Sequence, residues 1–327
     1  MKIIVDAMGG DHAPESPVKG VFEAVGAFEN VEIILVGDKS KIDAVMQENN
    51  LVSDRVEIVH TAKAMTMDDD PASILRDNKD SSMGIAFKIL AEGGGDALVT
   101  AGNSGAMLTG ATLVVKRIHG IKRPALGVVL PYVNKTLLID AGANVDAKAE
   151  CMSRFGLMGS IYMNKLFGIA NPTVGLANNG AEKSKGTPEH VKAYKLLSET
   201  DTINFTGNIE GRDITMHSTD VLVTDGFTGN MILKLTEGFG LFMSKTFKDI
   251  FYKNTASKVS GFLVKGSLQD LKASFDQSEY GGAPLLGVKK PVLKAHGSSD
   301  ARAIRNAVRQ AKNCVETKLI EEIENRI

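Results

Sequence analysis

The chain has 327 residues, 43% of them hydrophobic and 24% charged, with a formal net charge of −1. That composition supports a large buried core and removes any global attraction to nucleic acid, so a basic patch has to be local. Two cysteines far apart, Cys151 and Cys314, exclude a disulfide framework and zinc spacing, and no run of about 18 apolar residues is present to span a bilayer.

In chain order, short β-branched runs alternate with helical stretches. Strands are expected at 2–5, 31–36, 55–59, 97–100, 125–130, 136–140, 173–177 and 221–224. Helices are expected near 15–29, 40–48, 81–92, 104–117, 147–167 and 186–199. Continuously apolar strands between helices predict an α/β protein whose mostly parallel sheet is covered on both faces. The 125–140 stretch reads as a hairpin with Val133-Asn134 near its turn. No linker composition interrupts the chain, so one α/β domain over 1–327 is expected, with a helical elaboration at 226–277. A last helix over 300–325 has Ser298, Ser299 and Asp300 as N-cap candidates. The chain opens KIIVD after Met1, without a basic region followed by an apolar one, which predicts a cytoplasmic protein.

Five predicted strands run into loops rich in Gly, Asn and Asp: DAMGGDH (6–12), TAGNSGA (100–106), IDAGAN (139–144), GLANNGAEKSKG (175–186) and TDGFTGN (224–230). Open α/β sheets bind ligands beyond the carboxyl ends of their strands. Glycine lets backbone N–H groups converge, and a helix start adds unpaired donors, so the set suits an oxyanion. TAGNSGA is the strongest case, with Asn103, Ser104 and Gly105 at the first turn of an apolar helix. No G-x-G-x-x-G and no Walker lysine is present, so neither dinucleotide nor NTP binding is indicated. His12, among Gly9, Gly10 and Asp11, reads either as a proton donor beside an anion or as an ordinary turn histidine. Asp6, Asp140 and Asp225 each end a strand, where a carboxylate fixes loop backbone more often than it holds a metal; we expect no metal site. Lys183 and Lys185 are candidate cations for phosphate or an oxyanion, or solvated loop lysines.

The 231–251 segment carries a wide apolar stripe at helical spacing, and six lysines against two aspartates between Ser244 and Ala273 give it a basic flank. Core or dimer packing, an acidic protein partner and a lipid interface all fit that pattern. The surface candidates are Phe251, Lys253, Lys258, Phe262, Leu263 and Lys265. Gly238, Gly240, Gly261 and Gly266 suggest bends.

Taken together, DAMGGDHAP (6–14), TAGNSGAMLTGA (100–111), IDAGAN, GLANNGAEKSKG, NFTGNIEGRDI (204–214), DVLVTDGFTGN (220–230) and YGGAPLLGV (280–288) resemble the PlsX family of phosphate acyltransferases, in one register to about residue 310. One departure is KKPVLKAHGSS (289–299), where the family has a Gly and aliphatic residues before His-Gly-Ser. The resemblance implies a three-layer α/β/α sandwich similar to phosphotransacetylases and isocitrate-dehydrogenase-like enzymes, and a homodimer with peripheral membrane contact. It also implies transfer of a fatty acyl group from acyl carrier protein to inorganic phosphate. The acyl phosphate would feed a membrane glycerol-3-phosphate acyltransferase in phospholipid synthesis, with no cofactor. On that reading Asn103, Ser104, Gly105 and Asn144 bind phosphate. Lys185 stabilises charge, and His12 serves the leaving thiolate or phosphate. Asn179 and Asn230 anchor the oxyanion or pantetheine. An acyl-CoA phosphotransacetylase, an oxidoreductase of related fold and a non-enzymatic membrane scaffold are the rival readings.

Overall fold

A computed structural model describes residues 1–130, 135–216, 219–264, 266 and 281–327, with Ala256, Lys258, Gly261 and Leu263 described by backbone alone. The strands are β1 (Lys2–Asp6), β2 (Glu32–Gly37), β3 (Val56–His60), β4 (Ala97–Thr100), β5 (Ala125–Leu130) and β6 (Thr136–Ile139). β7 (Thr173–Asn178), β8 (Asn204–Glu210), β9 (Val221–Val223), β10 (Ala283–Leu286) and β11 (Val292–Lys294) complete them. They form one sheet, ordered β3-β2-β1-β4-β11-β10-β5-β6-β9-β7-β8. The predicted helices appear as α1 (Glu15–Ala27), α2 (Lys39–Glu48), α3 (Ser82–Ala91), α4 (Ser104–Gly110), α5 (Ala149–Phe167) and α6 (Pro188–Ser198). α7 (Gly226–Tyr252), α8 (Thr255–Leu263), α9 (Ala301–Glu316) and α10 (Leu319–Arg326) follow.

Alternate strand residues feed opposite layers, as a sheet covered on both faces requires. Ile3 and Val5 pack with Val18, Val21 and Ile304 of α1 and α9, while Ile4 between them packs with Phe87 and Leu90 of α3. In the other half, Leu137 and Ile139 face Phe155 and Met158 of α5, and Leu138 faces Leu233 of α7. The two halves are each parallel but run in opposite directions: β3, β2, β1, β4 and β11 one way, β6, β9, β7 and β8 the other. β10 and β5 join them through antiparallel pairs. β10 pairs with Ala125 and Leu126 at the start of β5, and β6 pairs with Gly127 to Leu130. That offset brings the carboxyl ends of the two halves to the same level, facing each other.

The predicted hairpin is present as β5–β6; its turn at Val133-Asn134 lies outside the described residues. Three expectations change. The helix expected over 104–117 is α-helical only to Gly110 and continues as a π-helix over Ala111–Lys116. The C-terminal helix is two, divided where Lys318 takes a left-handed conformation (φ 52°), with Asp300 as the N-cap of α9. Gly238 and Gly240 do not interrupt α7, which runs through both as one helix. The break falls at Lys253-Asn254, where Asn254 caps α8 by accepting from Ser257 N at 2.8 Å. The rest of the expected 226–277 elaboration, Lys265 included, lies outside the described residues apart from Val264 and Gly266.

Candidate active site

Where the carboxyl ends meet, a cleft of about 850 Å³ opens, a size suited to a small-molecule site. Its apolar wall includes Leu126, Val128, Val129, Leu233 and Leu241, and its polar wall includes Ser104, Asn230, Lys294, His296 and Ser298. α7 forms one side along Leu233, Thr236, Glu237, Gly240 and Ser244.

Two buried aspartates sit at strand ends behind the cleft wall. Asp6 ends β1, accepts from Thr100 Oγ1 at 2.8 Å and holds Met8 N at 3.2 Å. Burial pushes its carboxyl above the usual range, opposed by Ser82, Thr100, Met8 and the Lys294 charge. Asp140 follows β6 and is fully buried. Its Oδ1 accepts from Leu126 N (2.9 Å), Gly142 N (3.3 Å) and Ala143 N (3.0 Å), and its Oδ2 from Asn144 N (2.6 Å) and Asn144 Nδ2 (2.9 Å). Burial again pushes the carboxyl up, against the pull of these donors. Asp225 caps α7 through Thr228 N at 2.9 Å. All three strand-end aspartates thus fix backbone. Among the described residues no group of three His, Cys, Asp or Glu is placed to hold a metal ion.

Two predicted phosphate ligands turn out to hold loops. The Asn103 side chain caps α4 by accepting from Ala106 N at 3.0 Å, and its Nδ2 donates to the Met67 and Asp69 carbonyls at 3.0 and 3.2 Å. Asn144 Nδ2 donates to the Pro124 carbonyl at 2.7 Å as well as to Asp140. An asparagine reads the same in sequence whether it faces a ligand or a neighbouring loop; here long-range carbonyls take the donors. Of the TAGNSGA trio, Ser104 is on the cleft wall. Asn230 is too, beside Gly142.

His12, Asn179 and Lys185 are exposed and lie off the cleft wall. Asn179 and Lys185 belong to the loop after β7. Asn178 Nδ2 donates to the Lys185 carbonyl (3.1 Å), and Asn208 Nδ2 to that of Glu182 (2.9 Å). The loop leads into α6, whose His190 Nε2 approaches Asp225 Oδ2 at 4.0 Å, so it stands beside the α7 start. Both cysteines are buried, and burial pushes the Cys314 thiol up to about 12, so neither suits a nucleophile.

Lys294 and the 296–299 loop escaped assignment because β11 was not recognised. The available signal was His-Gly-Ser-Ser two residues after a lysine, in Lys-Ala-His-Gly-Ser-Ser. Gly297 O accepts from Asp11 N at 2.7 Å, interlocking this loop with the one after β1.

A mostly parallel sheet, with Gly- and Asn-containing strand-end loops and an apolar wall meeting at one cleft, is the arrangement of an α/β enzyme that binds a small ligand. The family model described as "Fatty acid synthesis protein" matches residues 1–322. A phosphate acyltransferase of Acetivibrio thermocellus is 44% identical over 324 residues, covering 99% of this chain and 95% of that protein. One of Alkaliphilus oremlandii is 46% identical, covering 99% and 96%. A solved phosphotransacetylase of Streptococcus pyogenes shares the fold, with a TM-score of 0.65 at 16% identity, over 98% of this chain and 94% of that one. The chain belongs to the phosphate acyltransferase family.

Proposed function

We propose that the protein transfers a fatty acyl group from acyl carrier protein to inorganic phosphate, supplying acyl phosphate for phospholipid synthesis. The observation that carries this is the joint opening of both halves' strand-end loops onto one apolar-walled cleft. A phosphate oxygen attacks the thioester carbon, the C–S bond breaks, and the carrier thiol leaves with a proton. No protein nucleophile is needed, so the site has to orient a dianion and stabilise the tetrahedral oxyanion. Ser104 and Gly105 contact phosphate, with Asn103 and Asn144 holding the loops that present them. Asn230 and Asn179 anchor the oxyanion or pantetheine. Lys185 supplies positive charge from the β7 loop, and His12 protonates the thiolate or binds phosphate. The apolar wall takes the acyl chain.

Release of free carrier protein from palmitoyl-ACP, with and without phosphate, tests the reaction; release independent of phosphate, or from palmitoyl-CoA alone, overturns it. Lys185→Ala is expected to slow phosphate-dependent release roughly 10- to 100-fold, less than loss of a buried donor because the loop faces solvent. An unchanged rate would remove Lys185 from the chemistry.

The apolar stripe of α7 is not covered by the core of the described residues. Met231, Leu235, Phe239, Phe242 and Ile250 are all more than half exposed, as is Phe262 on α8. Phe251 is half-buried, Lys253 is exposed, and the side chains of Lys258 and Leu263 are outside the description. This surface suits a homodimer contact near the cleft and a lipid or acidic carrier-protein contact at the α7–α8 end, on the cytoplasmic side of the membrane that holds the glycerol-3-phosphate acyltransferase. No helix among the described residues is long and apolar enough to cross a membrane. Where this end meets lipid, Lys253→Glu with Phe262→Glu should weaken co-sedimentation with anionic vesicles roughly tenfold or more with soluble turnover near wild type; a raised KM for acyl carrier protein would instead make it the carrier contact. Undiminished co-sedimentation would place the lipid contact elsewhere.

A further inference from the structure

Among the described residues two lysines line the cleft, Lys234 on α7 and Lys294 at the end of β11. Lys234 Nζ is paired with Glu237 Oε2 at 2.7 Å. Lys294 has no carboxylate within ion-pair distance among the described residues. Its Nζ instead donates to two main-chain carbonyls, Ala101 at 3.0 Å and Ala295 at 2.7 Å. An ammonium has three N–H bonds, so one donor is left on a residue that forms cleft wall.

The position is braced from several sides. β11 pairs with β4 so that Lys294 stands opposite Thr100, the first residue of TAGNSGA. Ala295 N donates to Thr100 O at 2.9 Å, and the following loop is locked to the β1 loop through Asp11 N. A half-buried ammonium with no carboxylate at ion-pair distance is costly unless an anion joins it, and an aligned N–H from a charged group binds an anion more strongly than a neutral donor does.

We propose that Lys294 is the fixed cation of the phosphate subsite, its third N–H donating to a phosphate oxygen between the TAGNSGA and His-Gly-Ser loops. The assignment rests on the phosphate-acceptor reading above and adds a residue that contacts the substrate. Lys185, on a solvent-facing loop, cannot present a pre-positioned donor in the same way.

The charged groups around Lys294 are Asp6 of β1 and Asp11 of the loop after it, while β4 presents neutral Thr100 and the Ala101 carbonyl. Lys234, Glu237, His296 and Asp300 complete the ionisable lining of the cleft. Burial pushes the Lys294 amine from 10.5 down to about 8, against the pull of Asp6 and Asp11. Lys294 is therefore charged below about pH 8 and loses its proton as pH rises through that region. Phosphate is already largely dianionic at pH 8, so its own titration does not imitate the effect.

The test compares Lys294→Met with wild type in palmitoyl-ACP turnover. The expected result is a phosphate KM raised roughly 10- to 100-fold, with the KM for acyl carrier protein within about twofold. A phosphate KM within about twofold of wild type overturns the proposal, because a lysine that merely tethers two loops would not act selectively on phosphate. If the variant does not fold, calorimetric binding of inorganic phosphate to wild type decides. Affinity should fall roughly tenfold between about pH 7.5 and pH 9.5, a range in which histidine is already neutral and ordinary lysines remain mostly charged. A flat affinity over that range overturns it. Calorimetry needs no acyl transfer, so pH-dependent phosphate binding without phosphate-dependent release would sink the acyltransferase reading and leave Lys294 as the anion ligand.

Discussion

Gly229→Ala is expected to destabilise the fold by about 4 kcal/mol or more, while Gly238→Ala on the same helix stabilises it by about 0.5–1 kcal/mol. Both glycines lie inside α7, where alanine is the better helix former by about 1 kcal/mol. Propensity alone predicts a gain at both sites. Packing decides otherwise at Gly229. A Cβ built there would lie 1.9 Å from the Asp140 carbonyl oxygen and 3.0 Å from Thr224 Cγ2, so α7 or the loop after β6 has to move by more than an ångström. Neither yields readily. Asp140 is held by its own hydrogen bonds, and the first turn of α7 is tied to the same loop by Gly226 N donating to Asn144 O at 2.7 Å. Gly238 has nothing within 4 Å of its Cβ position, so only the helix gain remains. Urea unfolding at matched slope measures both; equal midpoints for the two variants would show that α7 does not dock on the Asp140 loop as described. Activity should fall with Gly229→Ala, because Leu233 and Asn230 follow it on the cleft wall.

That contact explains what was legible in the sequence and what was not. The apolar runs at 97–100 and 221–224 and the loops following them carry local signals, and each lies where its strand end requires. The direction of a strand in the sheet has no local signal. Nothing within 125–140 announces that β10 and β6 grip β5 at staggered levels and so turn two sets of carboxyl ends toward each other. β8 is largely polar and contains Gly207 at φ 104°, tolerable on an edge strand but invisible to a hydrophobic pattern. β10 and β11 are four and three residues long, with Pro284 inside one and Pro291 before the other. Missing β11 meant missing Lys294, which becomes a cleft residue only through its pairing with β4. Asn103 and Asn144 show the converse. Their motifs mark loops that reach the cleft, but the 66–69 segment and Pro124, distant in sequence, occupy their side chains.

The Asp140→Asn variant should lose about 3 kcal/mol of stability or more, a large effect for an isosteric change. Asp140 accepts five hydrogen bonds and donates none, which only a carboxylate can do. An asparagine has one acceptor oxygen. If that oxygen takes the Oδ1 place, its NH2 confronts Asn144 N and Asn144 Nδ2. If it takes the Oδ2 place, the NH2 confronts the amides of Leu126, Gly142 and Ala143. Either way at least two donors are orphaned, within a fully buried site that water does not reach. The two flips are unequal, since the first orphans two donors and the second three, so the first should be adopted. Release of Asn144 then loosens the Asn144 carbonyl that holds Gly226 N, and with it the start of α7. The variant should therefore lose activity together with stability, its phosphate KM rising as the Gly142 side of the cleft relaxes. A denaturation midpoint within about 1 kcal/mol of wild type would mean that the five donors find other partners. The Asp140 carboxylate would then be a bystander rather than the clamp that sets the cleft.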